Sequence, residues 1–233
     1  MLKRRNKLAI LLLLTSFLFL LVGCKKDVSD AEKFKEEYES LNGQKNNDIE
    51  YRNISIDKNN PIIYKSEDEI VNLIKNKDTF VAYFGFASCP WCRSVLPTML
   101  ETFKEYGIPN IYYVDISNIR DTYEIKNGKL EKTKEGTEGY YKLLDLLNEK
   151  LSDYTVNDES GKTTDTGEKR IYAPNVIGVI KGEVKVLDTG ISSLQKDPYM
   201  ELNDEIKKDM KEKFKTIFAP VDEELNSCNI SGC

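Results

Sequence analysis

Thr79 to Phe86 is a compact apolar run rich in Val, Tyr and Phe. Its length and composition read as a buried strand. It leads directly into Ser88-Cys89-Pro90-Trp91-Cys92. Beyond the second cysteine, Val95, Leu96, Met99, Leu100 and Phe103 recur on one helical face, and Gly107-Ile108-Pro109 ends that helix. Asn110 to Ile116 reads as the next strand. Strand, helix, strand is a βαβ unit. The cysteine pair therefore stands where the first strand meets the helix, and the rest of the chain must fold around that junction.

The flanking segments extend the pattern. Phe34, Tyr38 and Leu41 recur at helical spacing, with Asn42-Gly43 as a stop signal. This predicts a short helix, with residues 24–48 serving as tether and spacer ahead of a domain over 49–220. Tyr51–Ile56 and Pro61–Tyr64 are candidate short strands. Ser66-Glu67-Asp68-Glu69 has the form of a capping box and opens a helix through Ile70, Leu73 and Ile74. Asn175–Ile180 and Glu183–Leu187 alternate around Lys181-Gly182, which predicts a two-residue hairpin. Leu202, Ile206, Met210, Phe214, Ile217 and Phe218 line one face of a last helix, expected to stop at Pro220.

Between these halves, Ser117 to Lys169 reads as an inserted helical cap and loop. Asn127-Gly128 suggests a hairpin turn, Leu143, Leu144, Leu147 and Leu151 an amphipathic helix, and Asp153–Lys169 a polar, turn-rich stretch. Ser160-Gly161-Lys162-Thr163 is a fragment of a phosphate loop. The motif's first glycine would fall at Val156 and no buried strand precedes it, so nucleotide binding is not expected there.

The N-terminus differs from the rest. Lys3, Arg4, Arg5 and Lys7 precede the uncharged run Leu8–Val22. This is the pattern of a signal peptide over residues 1–23, short of the about 20 apolar residues a membrane span needs. Leu21-Val22-Gly23-Cys24 resembles the bacterial lipobox, which implies lipidation of Cys24 and an anchor on the extracytoplasmic face of a bacterial membrane. The alternative is an uncleaved anchor in which Cys24 is incidental. From Cys24 onward, 30 basic and 39 acidic residues give a net charge of -9. That acidity argues against a nucleic-acid partner and against basic adhesion to lipid, leaving the lipid on Cys24 as the membrane contact.

Five cysteines and no histidine narrow the chemistry. Ser-His-Asp and Cys-His catalysis are excluded, as is any zinc site that needs imidazole. A thiolate is favoured at a helix start, where free N–H groups and the macrodipole stabilise negative charge. Cys89 is therefore expected to be the exposed nucleophile and Cys92, a turn later, the buried resolving thiol. With no histidine, the helix N-terminus is the only activator in view. The other readings are a static disulfide, or half of a zinc site shared with Cys228 and Cys233. Those two, in the 221–233 tail, could instead close a second disulfide. They could also relay electrons, since 13 extended residues after Pro220 reach about 40 Å.

Together these residues resemble the thioredoxin superfamily. Cys89-Pro90-Trp91-Cys92 stands at the redox pair, Pro97 at the kinking proline of the active-site helix, and Ala173-Pro174 at the cis-proline before a hairpin. The resemblance runs from about Phe80 to Phe218. It implies an α/β fold, a thioredoxin-like three-layer α/β/α sandwich whose insertion separates a βαβ half from a ββα half. It also implies a thiol–disulfide oxidoreductase without cofactor or metal, with Trp91, Ala173 and Pro174 contacting substrate. Its partners would be cysteine-containing exported proteins or peptides and a membrane or extracellular redox partner. Pro90-Trp91 is closer to glutaredoxin-type and exported-oxidase pairs than to the Gly-Pro of cytosolic thioredoxins. Phe84-Gly85-Phe86 and the lipoprotein context are similar to bacteriocin-transport accessory proteins, which keeps open a non-catalytic, peptide-holding lipoprotein. Two positions depart from the family: Ser88 replaces a tryptophan, and Tyr83 replaces the buried carboxylate six residues before the first cysteine. No side chain is then evident to take the proton of Cys92, which leaves water or backbone.

Overall fold

The computed structural model describes residues 28–231, with side chains through 227. Expectations for the leader, for Cys24 and for a bond between Cys228 and Cys233 lie outside the described side chains.

The first helix, α1 (Asp30–Glu39), carries a complete capping box between Ser29 and Glu32. One short antiparallel pair follows, β1 (Lys45–Asn46) with β2 (Ile49–Glu50). The segment 51–56, expected as a strand, is irregular. β3 (Ile62–Tyr64) and α2 (Glu67–Lys75) stand where the patterns put them, α2 again with a capping box, Ser66 to Glu69. Next come β4 (Phe80–Gly85), α3 (Pro90–Phe103) and β5 (Ile111–Asp115). The middle region supplies β6 (Thr122–Lys126), β7 (Lys129–Lys134), α4 (Glu138–Leu147), β8 (Ser152–Asn157) and β9 (Thr163–Arg170). β10 (Asn175–Ile180), β11 (Glu183–Asp188) and α5 (Asp204–Ser231) complete the chain.

The protein is an α/β structure around a mixed sheet in the order β11-β10-β4-β5-β3. β3, β5 and β4 are parallel, while β10 runs antiparallel to β4 and to β11. β4 is central and buried along its whole length, as a strand covered on both faces must be. Its alternation divides the core. Val81 and Tyr83 face a cluster with α1, α3 and α5, whereas Phe80, Ala82 and Phe84 face one with α2 and α4. The two-residue turns of the β6–β7 and β10–β11 hairpins each pair positive-φ residues, Asn127-Gly128 and Lys181-Gly182, the geometry that matches strand twist.

Three further expectations change. α1 is a wall of the core rather than a spacer: Phe34 and Tyr38 are fully buried and pack with Tyr113. The 117–169 region is no cap and loop. Tyr140, Leu143 and Leu147 of α4 complete the second core, and the polar 153–169 stretch pairs as the β8–β9 hairpin. Thr, Val and Tyr alternate there with polar residues, and the hairpin base is held by a buried Arg170–Asp121 ion pair at 3.0 Å. Finally, α5 does not stop at Pro220. Val221 beyond it is buried, and the Asp222 carboxylate accepts from Gly107 N at 2.8 Å, so packing carries the helix past the missing N–H. With 221–231 helical, the tail lacks the reach of an extended chain.

Arg93, on α3, is 0 % exposed. Its guanidinium donates to Arg52 O at 2.9 Å, Tyr38 O at 2.7 Å, Ala87 O at 3.2 Å and Asn42 Oδ1 at 2.7 Å. Arg93→Ala orphans these acceptors. Because each buried unsatisfied group costs about 1–3 kcal/mol, the variant should lose about 3 kcal/mol or more, read as a lower urea midpoint with an unchanged slope.

Candidate functional site

Cys89 is the N-cap of α3. Its backbone is extended (φ -73, ψ 117), and its Sγ accepts from Cys92 N at 3.2 Å, a place usually held by a Ser or Asp oxygen. Cys89 N donates to Phe86 O at 3.1 Å, closing the turn out of β4. Pro90 at the first helical position lacks only an N–H that would be unpaired there anyway. The sequence places Cys89 at this junction, and the structure puts it there. It differs on access. Cys89 is 4 % exposed rather than open, because the Ala173 carbonyl lies 3.4 Å from its Sγ and covers it.

The two cysteines are free thiols in different electrical settings. A hydrogen bond with the Cys92 thiol is the main influence lowering the Cys89 pKa. The backbone N–H groups of Cys92 and Trp91 and the Arg120 cation add to it, against the opposing effect of burial. Burial pushes Cys92 well above the usual thiol range, and the neighbouring Cys89 pushes it further. The Tyr83 hydroxyl and a backbone bond at Phe86 oppose this.

Arg120 is a functional candidate that no sequence pattern marked. It follows β5, its guanidinium carbon lies 5.3 Å from the Phe86 ring centroid, and its Nη1 donates to Ile171 O at 3.5 Å. Its buried Nε has no hydrogen-bond partner among the described residues. The helix N-terminus is thus joined by a side-chain cation, contrary to the expectation that it acts alone. Chain folding after β5 sets this proximity, and residue spacing carries no trace of it.

The Ala173–Pro174 bond is cis, and it puts the Ala173 carbonyl against Cys89. Trp91 is half-buried beside the pair. Pro97 faces solvent inside α3, where its ring replaces the N–H that would bond the Arg93 carbonyl. Tyr83 is the other residue the structure adds. It is fully buried, its hydroxyl lies 3.0 Å from the Tyr38 hydroxyl, and its effect on the Cys92 pKa is downward. A Cβ on Gly85 would stand 2.4 Å from the Tyr83 hydroxyl, so glycine there leaves room for it. Its position, six residues before Cys89, was the one sequence signal available. Among the described residues no group of three or more Cys, Asp or Glu is arranged to hold a metal, and no described helix is long and apolar enough to cross a membrane.

In comparisons with known proteins, no family model, no curated protein and no solved structure matches this chain.

The electrostatics predict a divided response to alkylation. Lowering the Cys89 pKa enlarges its thiolate fraction below the free-cysteine value of about 8.5, so Cys89 should react with iodoacetamide at lower pH than free cysteine while Cys92 stays unlabelled. Arg120→Met removes the cation and should move the Cys89 midpoint upward. Mass-resolved labelling rates between pH 5 and 10 check both.

Proposed function

We propose that this protein is a thiol–disulfide oxidoreductase of the thioredoxin-like type. The observation that carries the reading is the asymmetric pair: a Cys89 thiol held at a helix start with its pKa lowered, beside a Cys92 thiol pushed up by burial. Two features support it. The Ala173–Pro174 loop lies against Cys89. A parallel βαβ half is joined to an antiparallel hairpin and helix around one sheet, with helices on both faces, in keeping with a thioredoxin-like sandwich.

In the reducing direction, the Cys89 thiolate attacks one sulfur of a substrate disulfide. A Cys89–substrate disulfide forms, and the other substrate sulfur leaves as a thiolate that takes a proton from water. Cys92 then loses its proton and attacks Cys89 Sγ. The Cys89–Cys92 disulfide forms, the second substrate thiolate leaves, and two electrons have passed to the substrate. The oxidising direction reverses these steps. The partners we propose are cysteine-containing exported proteins or peptides and a membrane or extracellular redox partner, met on the outer face of a bacterial membrane through a lipid on Cys24.

One observation favours a second reading. A nucleophile only 4 % exposed suits an accessory lipoprotein that holds a peptide and does no thiol chemistry.

Trapping separates the two. Cys92→Ser should accumulate mixed disulfides with exported proteins, released by dithiothreitol and abolished by adding Cys89→Ser. If the Cys92→Ser protein carries no such adducts and Cys89 resists alkylation, the oxidoreductase reading is wrong.

A further inference from the structure

The segment that covers Cys89 is fixed at both ends. At one end Ile171 N donates to the Tyr140 hydroxyl at 3.3 Å. At the other, Asn175 lies in register with Phe84 in the central sheet. Tyr172, Ala173 and Pro174 run between, and the Ala173 carbonyl lies 3.4 Å from Cys89 Sγ. The Tyr172 side chain reaches sideways onto β8. Its hydroxyl donates to Asp153 O at 3.1 Å and accepts from Thr155 N at 3.2 Å. Residues two apart on a strand direct their backbone groups to the same edge. A carbonyl and an N–H spaced in this way are the pair that an adjoining strand takes with its own N–H and C=O. The Tyr172 hydroxyl therefore stands where a strand residue would. Among the described residues β8 pairs with β9 alone, and β11 is an edge strand of the central sheet. Between these two edges lies a cavity of about 520 Å³, lined by Ser152, Asp153 and Thr155 of β8, by Leu187 and Asp188 at the end of β11, and by Tyr172 itself. Its size falls within the about 300–1,000 Å³ of clefts that take a ligand.

We propose that this edge of β8 is a docking strand for an extended segment of the cysteine-bearing partner, and that the segment displaces the Tyr172 hydroxyl as it pairs. The inference rests on the oxidoreductase reading and adds to it how a partner is recognised and how the covered thiol is reached. The occupant is a polypeptide backbone, because β8 offers one acceptor and one donor at strand spacing. A small thiol compound with no flanking peptide groups cannot make both bonds. Continuity with the thiol marks the substrate itself as the occupant. Tyr172 is bonded to Ala173, so a segment seated on β8 lies one residue from the carbonyl over Cys89. Leaving a buried N–H or C=O unpaired is costly, whereas exchanging one partner for another is nearly neutral. The segment replaces both bonds that Tyr172 gives up, and the stretch between Ile171 and Asn175 is then free to move off Cys89. The 4 % exposure of Cys89 thus describes the protein without its partner. Tyr172 is a positioning residue, acting on Cys89 through Ala173.

The test uses full-length protein in detergent and two mixed disulfides of 5-thio-2-nitrobenzoate, one with N-acetylcysteine amide and one with a synthetic extended peptide carrying a central cysteine. The Cys89 thiolate attacks the cysteine sulfur of either probe, a Cys89–probe disulfide forms, and the coloured thiolate leaves. The peptide should half-saturate the wild-type rate at a concentration about tenfold lower than the amino-acid probe. N-methylation of alternate peptide nitrogens should abolish that advantage. Tyr172→Phe removes the latch and leaves the β8 backbone intact. Alkylation of Cys89 by iodoacetamide, at a pH above its midpoint where the rate reports access, should rise about tenfold, with the peptide's advantage kept. Thr155→Pro removes the N–H that both Tyr172 and a partner use, at a strand edge where proline is tolerated. It should raise alkylation in the same way and lose the peptide's advantage, a split that a merely structural role would not give. If the N-methylated peptide reacts as well as the unmodified one on wild-type protein, docking on β8 is overturned, even where neither variant folds, and the oxidoreductase reading stands. A wild-type dimer that Thr155→Pro dissolves gives the edge to a second copy and also overturns it. No colour from either probe overturns both readings.

Discussion

The fold depends on a buried arginine that is satisfied by acceptors other than carboxylates. Arg93 directly follows Cys92 on α3, and its guanidinium reaches the end of α1, both ends of the 42–52 segment that holds β1 and β2, and the turn out of β4 in one step. Taking such a charge out of water is costly unless every donor finds good geometry. Here the partners are three backbone carbonyls and one amide oxygen, so burial of the charge fixes backbone positions rather than a single side chain. Arg52 passes the constraint on by donating to the Pro198 carbonyl ahead of α5. The helix that carries the cysteine pair is thereby joined to elements remote from it in sequence.

That constraint turns an N-terminal helix into part of the active region. Once α1 is fixed, Tyr38 stands over Tyr83, Phe34 packs edge-on to Tyr113, and Glu37 receives two tyrosine hydroxyls. The aromatic layer fills one side of the sheet and also brings hydroxyls, which must be paired when buried. The Tyr38 and Tyr83 hydroxyls pair with each other at 3.0 Å, and the Tyr113 hydroxyl donates to Glu37. The same packing that excludes water from Cys92 supplies the polar contacts next to it.

The opposite side of the molecule is organised by a second charged contact. Asp121 and Arg170 form an ion pair beneath the two hairpins of the middle region, and the Arg170 guanidinium carbon lies 3.8 Å from the Tyr154 ring centroid. Burial tends to raise the Asp121 pKa, and the Arg170 cation opposes it. Arg170 lies four residues before Pro174, so the anchor of the hairpins is also the approach to the loop over Cys89. The hairpin-bearing region and the loop beside the thiol are therefore joined by one short segment.

Local chemistry was legible in the sequence. The capping box at Ser66, the turns at Asn127-Gly128 and Lys181-Gly182, the β4–α3–β5 unit and the position of Cys89 at a helix start all follow from residue types at short spacing. Periodicity could not tell α1 from a spacer helix, because an amphipathic stripe marks a buried face without saying what covers it. Nor could it keep α5 going past Pro220, since the compensation comes from Val221 and Asp222 packing against distant residues. The sequence by itself determined the β4–α3–β5 unit and the thiol pair at its strand–helix junction, because those depend on hydrogen bonds and side chains within a few residues. Tertiary structure alone decided that Ala173 covers Cys89, that Arg120 stands near it, and that Tyr38, Tyr83 and Tyr113 line up behind Cys92. These contacts join segments dozens of residues apart, and only closure of the sheet between its two helical layers brings them within hydrogen-bonding or electrostatic range.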